Sequence, residues 1–143
     1  MNPFPRIQQD AADAVLAHAS FASVPIIVDD GAWRGPVEKA LEKEGVCVLV
    51  SIPVEWDVTD QAHKMATGEA SFTVELFWNA NRRAELGSTV KPLDLLGDLI
   101  VALLAAPLLP ARNHMTVAGF DVIPMEVGLF AFAVSVRRSA TVS

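Results

Sequence analysis

The chain has few of the features that mark several classes of protein. It contains a single cysteine, Cys47, so no intramolecular disulfide can form, and this thiol lies in an apolar run typical of a buried strand. The longest apolar stretch, residues 99–111, is broken by Pro107 and Pro110 and is shorter than the roughly 20 residues of a membrane span. The first residues lack the pattern of a cleaved signal peptide, so we expect no export and folding in a reducing cytoplasm.

Basic residues are also scarce and scattered. Lysine and arginine total 11 against 17 acidic residues, which gives a formal net charge of −6. Adjacent basic residues occur only at Arg82-Arg83 and Arg137-Arg138. Because binding to a phosphate backbone needs clustered cations, we do not expect a single copy of the chain to bind nucleic acid directly.

Apolar residues, in contrast, are abundant for a chain of this size. They make up 52% of the 143 residues, and the mean hydropathy is +0.36. A chain of this length forms one domain with a real core, but small domains usually need more polar residues to cover their surface. The sequence therefore predicts a single domain, residues 1–143, part of whose apolar surface is covered by other subunits.

Three segments have the apolar spacing of a one-sided helix. The first covers residues 4–22. The second begins at Gly35-Pro36, where proline fits a first turn, and ends at Gly45, which suits a C-terminal cap. The third begins at Pro92 and ends at the two prolines that follow it, and its apolar composition predicts the most buried helix.

Strand patterns lie between and after these helices. They occupy residues 26–28, 46–52, 72–78 and, as a hairpin with Gly128 in its turn, 115–136. Residues 53–70 are expected to form a hairpin excursion or a loop, residues 79–91 a second loop, and residues 139–143 a frayed tail. Together the elements predict an α+β two-layer sandwich with a mostly antiparallel sheet of four to five strands and two to three helices packed on one face.

Motifs for nucleotide binding and nucleophilic catalysis are missing from the sequence. Residues 31–35 place two glycines at a helix entrance, but without the Gly-Lys-Ser/Thr ending of a phosphate loop. The sequence contains no Gly-x-Ser-x-Gly elbow, and Cys47 does not stand at a helix start where a thiolate would be stabilised. We therefore expect no catalytic residue and no cofactor.

A metal site is not expected either. Asp57, Asp60 and His63 recur at three-residue steps and would share a face if their segment were helical. The surrounding residues form no apolar face to hold such a helix, so we interpret the three as solvated charges. His18 and His114 are expected to be packing or surface residues.

Acidic pairs keep a chemical alternative open. Asp29-Asp30, and Glu55 with Asp57, would supply an acid and a base if the fold brought them together, because close carboxylates shift each other's pKa. The alternative function is a small cytoplasmic enzyme or ligand-binding domain. Its pocket would lie between the sheet and the helices, with Asp29, Asp57 or His63 at the mouth.

The middle of the chain resembles the tail-terminator and tail-completion proteins of tailed phages, a group of minor tail proteins. The resemblance rests on a strand with Val74-Glu75, a loop with Asn79 and Asn81, then Gly87, and a helix that ends in Leu103-Leu104. The predicted order of the flanking elements agrees in outline. The resemblance implies a structural protein, not an enzyme, that forms a ring, usually of six copies. Such a ring caps the last ring of the tail tube and joins it to the head or neck.

The partners implied are copies of the chain itself, tail-tube proteins and head–neck proteins, without a membrane or a sequence-specific nucleic acid. The location would be the host cytoplasm during assembly and then the tail of the virion. A different head–tail connector is the related alternative. Loops 53–70 and 79–91 are expected to reach partners. The candidate interface residues are Trp33, Trp56, Trp78, Asn79, Asn81, Arg82 and Arg83. The tryptophans also fit core packing.

Overall fold

The computed structural model describes residues 2–105 and 115–143. Its helices are α1 (Phe4–Ala17), α2 (Arg34–Lys43), α3 (Ala80–Glu85) and α4 (Pro92–Leu104). Its strands are β1 (Ile26–Val28), β2 (Val46–Val50), β3 (Glu55–Ala62), β4 (Met65–Asn79), β5 (Met115–Pro124) and β6 (Leu129–Val142). Pro107 and Pro110, expected to end the last helix, and His114 lie outside the described residues.

The six strands form one sheet. Their order is β1-β2-β4-β6-β5, and β3 pairs with the part of β4 that β2 leaves open. Strands β1 and β2 are parallel, and the other described pairs are antiparallel. On one side, the 15-residue β4 pairs with β2 through residues 74–78 and with β3 through residues 65–71. On its other side it pairs with β6 along its length.

Strand β2 divides the core between the two faces of the sheet. Val46, Val48 and Val50 belong to one hydrophobic cluster, while Cys47 and Leu49 belong to another. All five residues are buried, as the continuous apolar run predicts. The first cluster is the larger one, because α1 and α4 both pack on that face. Their buried contributions to it are Ile7, Ala11, Ala12, Ala14, Val15, Leu95, Leu96, Leu99 and Leu103.

Helix α2 covers part of the opposite face. Its Val37 and Leu41 pack with Cys47, Phe77 and Leu49. Parallel neighbours such as β1 and β2 need a connection that crosses a face of the sheet, and α2 is that crossover. The α+β class and the mostly antiparallel sheet are thus confirmed. The sheet has six strands rather than four to five. The helices do not all pack on one face, because α2 lies on the face opposite α1 and α4.

Helix α1 is shorter than the predicted residues 4–22. It ends at Ala17 because His18 takes an extended conformation, with φ −81° and ψ 131°. A 3-10 turn, Ala19–Phe21, follows, and His18 Nδ1 accepts a hydrogen bond from the backbone N–H of Ser20 at 3.2 Å. His18 is therefore a capping residue, and the buried Phe21 continues the core beyond the helix.

The polar segments are more regular than their sequences suggest. Of the two possibilities for residues 53–70, the hairpin is confirmed, since β3 and the first half of β4 pair there. The expected loop at residues 79–91 contains α3. The expectation of a frayed tail is wrong for residues 139–142, which extend β6 and pair with residues 66–69 of β4. Backbone pairing and a hydroxyl contact of 2.8 Å between Thr67 and Thr141 hold this end of β6 in the sheet.

Two polar contacts join α1 to the sheet. Gln8 Nε2 donates to the carbonyls of Asp29 at 3.1 Å and Ser51 at 3.0 Å. Arg138 Nη1 lies 2.7 Å from Asp10 Oδ2, and the Arg138 side chain is only 4% exposed. Buried polar groups need such partners, so these contacts fix how α1 lies on β1, β2 and β6.

Candidate assembly surface

Strand β5 is an edge of the sheet and is largely uncovered. It pairs with β6 on one side, and within the described residues no strand pairs with its other side. Phe120 is 46% exposed, Val122 55% and Ile123 41%. An edge strand with free backbone groups and apolar side chains is a template for pairing with another chain. This edge therefore has a strong physical reason to be covered.

The apolar surface continues past the end of β5. Met125 and Val127, in the turn that leads to β6, are both exposed. Within β5 itself the only charged residue is Asp121. Many natural edge strands carry lysines or inward-pointing charges that prevent pairing. Strand β5 has little of this protection.

Strand β3 forms a second long edge, on the opposite side of the sheet. It pairs with β4, and in the described part of the chain its other side has no strand neighbour. Trp56 anchors it to the body of the protein. Its ring packs edge-to-face on Phe4 with centroids 5.7 Å apart, and its Nε1 donates to the carbonyl of Ala140 at 3.4 Å. Trp56, predicted as an interface residue, is thus half-buried against the core.

Gly68 of β4 makes room for this anchor. A Cβ at this position would lie 2.7 Å from Trp56 Nε1, closer than packed atoms tolerate. Val58 is the register partner of Gly68 and is half exposed. The absence of a side chain at residue 68 therefore makes room for the indole beside β4, and it leaves Val58 with little cover from that strand.

The part of the second face that α2 leaves open is acidic. Residues paired across neighbouring strands point to the same face of the sheet. Helix α2 covers Leu49 on this face. The residues paired with Leu49 across the sheet are Glu75, Ala133 and Asp121, which therefore lie on the same face. The carboxylates on this face of the strands are Glu55, Asp57, Asp60, Glu69, Glu75 and Asp121. Arg137 is the one cation among the same strand positions, with its Nε 3.8 Å from Glu69 Oε1. The open face consequently has a strong excess of negative charge.

Glu75 is the most enclosed of these carboxylates. Burial raises its pKa above the ordinary value of 4.5, and the nearby charge of Asp29 raises it further. A hydrogen bond from Thr73 Oγ1 to Glu75 Oε1, at 3.5 Å, acts in the opposite direction. The structure therefore brings Asp29 near Glu75, a carboxylate that belongs to neither of the acidic pairs considered from the sequence.

Several predicted interface residues hold the end of α2. Arg82 donates from Nε and Nη2 to the carbonyl of Lys43, both at 3.2 Å, and Arg83 Nη1 donates to the carbonyl of Glu44 at 3.1 Å. The two guanidinium groups thus satisfy carbonyls that the end of a helix leaves open. The Arg83 guanidinium also lies over the buried ring of Trp78, 5.2 Å from its centroid.

The two asparagines of the candidate interface differ. Asn79 is the N-cap of α3, and its Oδ1 accepts the N–H of Arg82 at 3.1 Å. Asn81 is exposed, and its amide stands beside Gly128 in the β5–β6 turn. Local structure thus explains Trp78, Asn79, Arg82 and Arg83, while an interface role for the set stays a prediction.

Trp33 lies in a groove between α2 and the sheet. Its ring stacks on Phe77, with centroids 6.3 Å apart and planes inclined by 29°. The groove has a volume of about 470 Å³ and is also lined by Met125 and by Glu38 and Glu126. Of the predicted interface tryptophans, Trp33 therefore has a partly exposed ring at the edge of a concave surface.

The residues considered for metal binding do not come together as a group of ligands in the described part of the chain. Asp57 and Asp60 are on β3 and His63 is in the hairpin turn, and no group of three metal-ligating side chains is found among the described residues. Burial raises the pKa of Cys47 to about 12, so its thiol is a poor nucleophile.

The glycine-containing segment at residues 31–35 is a turn followed by the first residues of α2. Asp29 Oδ1 accepts the N–H of Gly31 at 2.8 Å, and Asp30 Oδ1 accepts that of Ala32 at 3.0 Å. Gly31 has a φ of +101°, which explains the glycine without a phosphate.

No protein-family model matches the chain, and its sequence matches no curated protein. Among the described helices, none has the length and apolar character needed to cross a membrane. The sequence predicted loops and tryptophans as partner surfaces, whereas the structure also exposes apolar side chains along the β5 edge. The first strand of the predicted hairpin at residues 115–136 corresponds to β5, but only the strand order shows that it is an edge.

Proposed function

We propose that the chain is a structural protein of a tailed phage or prophage, a ring-forming tail terminator that caps the tail tube and joins it to the head or neck. The open edge of β5 is the observation that carries the proposal. An edge strand with exposed Phe120, Val122 and Ile123 promotes aggregation of an isolated molecule, whereas in an assembly the same strand provides a contact between subunits. Covering it with copies of the chain would also account for the 52% hydrophobic content.

The acidic face supports the same function. A ring at the end of a tail tube surrounds a channel through which DNA passes, and a negative wall repels the phosphate backbone instead of binding it. Six carboxylates against Arg137 on the open sheet face give the molecule one surface suited to such a channel. The scarcity of clustered cations elsewhere in the sequence agrees with this role.

Electron microscopy of the purified protein in negative stain is the direct test. The proposal expects closed rings with a central hole, and rings that bind to the end of tail tubes assembled from the tube protein of the same genome. A tube that keeps growing in the presence of the rings would contradict the terminator role. Rings that dock only on a neck protein would favour the related head–tail connector.

A second candidate is a ligand-binding domain, and the groove beside α2 favours it. The stacked Trp33 and Phe77 supply an apolar wall, and Glu38 and Glu126 supply acceptors at the rim. Groove residues of this kind suit a small cationic or amine-bearing molecule. Thermal unfolding with a panel of polyamines and cationic metabolites tests this candidate. A saturable rise in the unfolding temperature that Trp33→Ala abolishes would support it, and no rise with any compound would refute it.

A further inference from the structure

The two long open edges of the sheet are complementary in direction. Strand β5 has ten residues and β3 has eight, and they lie on opposite sides of the pair β4 and β6. Every neighbouring pair in the series β3-β4-β6-β5 is antiparallel. An even number of antiparallel strands makes the two outer strands run in opposite directions. A second copy that continues the sheet in the same orientation therefore presents its β3 antiparallel to β5.

On this basis, and given the ring of the proposed function, we propose that the β5 edge of one copy pairs with the β3 edge of the next copy. The contact uses two different surfaces, so it repeats from copy to copy and produces a ring when the rotation closes. The partner is a second copy of this chain because the chain itself carries both matching edges.

The positions of the two edges fit a closed sheet. Through β6, strand β5 flanks residues 70–78 of β4, whereas β3 flanks residues 65–71. The two edges are therefore offset along the strand direction. A sheet that closes on itself needs such a stagger between its first and last strands, because its strands tilt relative to the axis of closure. Level edges would instead favour a flat, open sheet.

The side chains at the two edges also match. Phe120 and Val122 share the face of Val134 and Phe132, and Val58 shares the face of Gly68, so all three lie on the face that α1 and α4 cover further in. Each is about half exposed, with fractions of 46%, 55% and 50%. Side-by-side pairing would bury them against one another and extend the apolar layer across the junction.

On the acidic face, the first half of β5 presents Thr116 and Gly119, which carry no charge. Asp121 is the one carboxylate that β5 presents on this face, so most positions of β5 can lie opposite Asp57 and Asp60 of β3 without a like charge.

The test uses lysine substitutions, which natural edge strands carry to prevent pairing. Val122→Lys alters the β5 edge and Val58→Lys the β3 edge. The control is Val101→Lys on α4, where the valine is 56% exposed and lies on neither edge. Circular dichroism and thermal unfolding confirm that each variant folds. Sedimentation velocity should show V101K assembling like the wild type, while V122K and V58K each need at least about tenfold higher concentration to assemble.

Mixing the two edge variants gives the decisive result. A V122K copy keeps an intact β3 edge and a V58K copy keeps an intact β5 edge, so the mixture retains one good contact. We expect dimers of one V122K and one V58K molecule, and no larger species. Contacts between two β5 edges would leave V58K assembled, and that outcome overturns the proposed pairing.

The same measurement separates this inference from the proposed function. If the wild type forms rings and both V122K and V58K still form them, the β5–β3 pairing is refuted, whereas ring formation is not. A wild-type chain that stays monomeric would refute both. A V122K or V58K variant that remains monomeric alone but binds tube protein normally would still support the pairing, since that contact concerns only copies of the chain.

Discussion

Strands β2 and β5 are both rich in apolar residues, yet their surroundings in the same sheet differ completely. Every residue of β2 is buried, between α1 and α4 on one face and α2 on the other. Strand β5 has exposed residues over most of its length, and among the described residues no strand covers its outer edge. The contrast shows that apolar sequence is used in two ways here. It builds the core at β2, and at β5 it provides a surface that a second molecule can cover.

Removing a phenylalanine side chain from each region should have the largest and most different effects. Phe72, which is 2% exposed, lies in the core, whereas Phe120 is 46% exposed. Phe72→Ala should lower the free energy of unfolding by about 3–5 kcal/mol, because it removes buried surface and leaves a cavity. Phe120→Ala should cost about 1 kcal/mol or less in the monomer, mainly through its ring contact with Phe132.

Urea unfolding of both variants, at a concentration where the chain is monomeric, checks this prediction. Assembly should respond in the opposite order, with Phe120→Ala weakening it more than its small effect on stability suggests. Equal losses of stability in the two variants would mean that β5 is covered within the single chain.

The covered region also depends on one buried ion pair. Arg138→Met should lower the free energy of unfolding by about 3 kcal/mol, because it leaves the largely buried carboxylate of Asp10 with only the exposed Arg6, whose Nε lies 4.0 Å away. The double variant with Asp10→Asn should recover a large part of that loss. Thermal and urea unfolding of the three proteins measures the coupling, and strictly additive effects would show that the pair contributes no interaction of its own.

Two glycines differ in the space around them, and alanine substitutions should therefore have opposite effects on stability. Gly68→Ala places a methyl group against Trp56 and should loosen β3, with a loss of about 1–3 kcal/mol. Gly97→Ala, in an exposed and unobstructed position of α4, should stabilise the protein by about 0.5–1 kcal/mol.

Tryptophan fluorescence and urea unfolding compare the two. If β3 forms part of the ring contact, G68A should also weaken assembly, while G97A should leave it unchanged. A G68A protein as stable as the wild type would show that Trp56 is not held as described.

The smallest expected effect is a pH dependence on the acidic face. The pKa of Glu75 is raised in the folded protein, so the folded state favours its protonated form. Its contribution to stability is therefore full below the unfolded value of 4.5 and is lost as the pH rises through the raised pKa. Glu75→Gln should remove this loss, so the variant gains stability relative to the wild type as the pH rises. Unfolding temperatures from pH 4 to pH 8 check it, and a constant difference would contradict the assignment.

Local patterns predicted much of the fold. The apolar run of β2, the proline at the start of α4 and the glycines at the ends of α2 and β5 are signals carried by neighbouring residues, and the structure confirms these elements. Gly45, for example, has the positive φ of a helix cap and donates to the carbonyl of Leu41. Such signals do not depend on the rest of the chain.

Features that depend on distant partners could not be predicted in this way. Asp10 and Arg138 are 128 positions apart, and the small residues 139–142 form a strand because β4 lies beside them. Trp78, for which packing and interface roles both stayed open, is 4% exposed and belongs to the core. The β5 edge could not be predicted for the same reason, because the position of a strand in a sheet depends on its pairing with distant strands.

Sedimentation equilibrium of the wild-type protein, from low micromolar to high micromolar concentration, shows whether a second copy covers the β5 edge. We expect a transition from the 15.3 kDa chain to one closed oligomer of at least three copies, without further growth. A mass that stays at 15.3 kDa across the whole range would show that the β5 edge needs no second copy and would refute self-assembly.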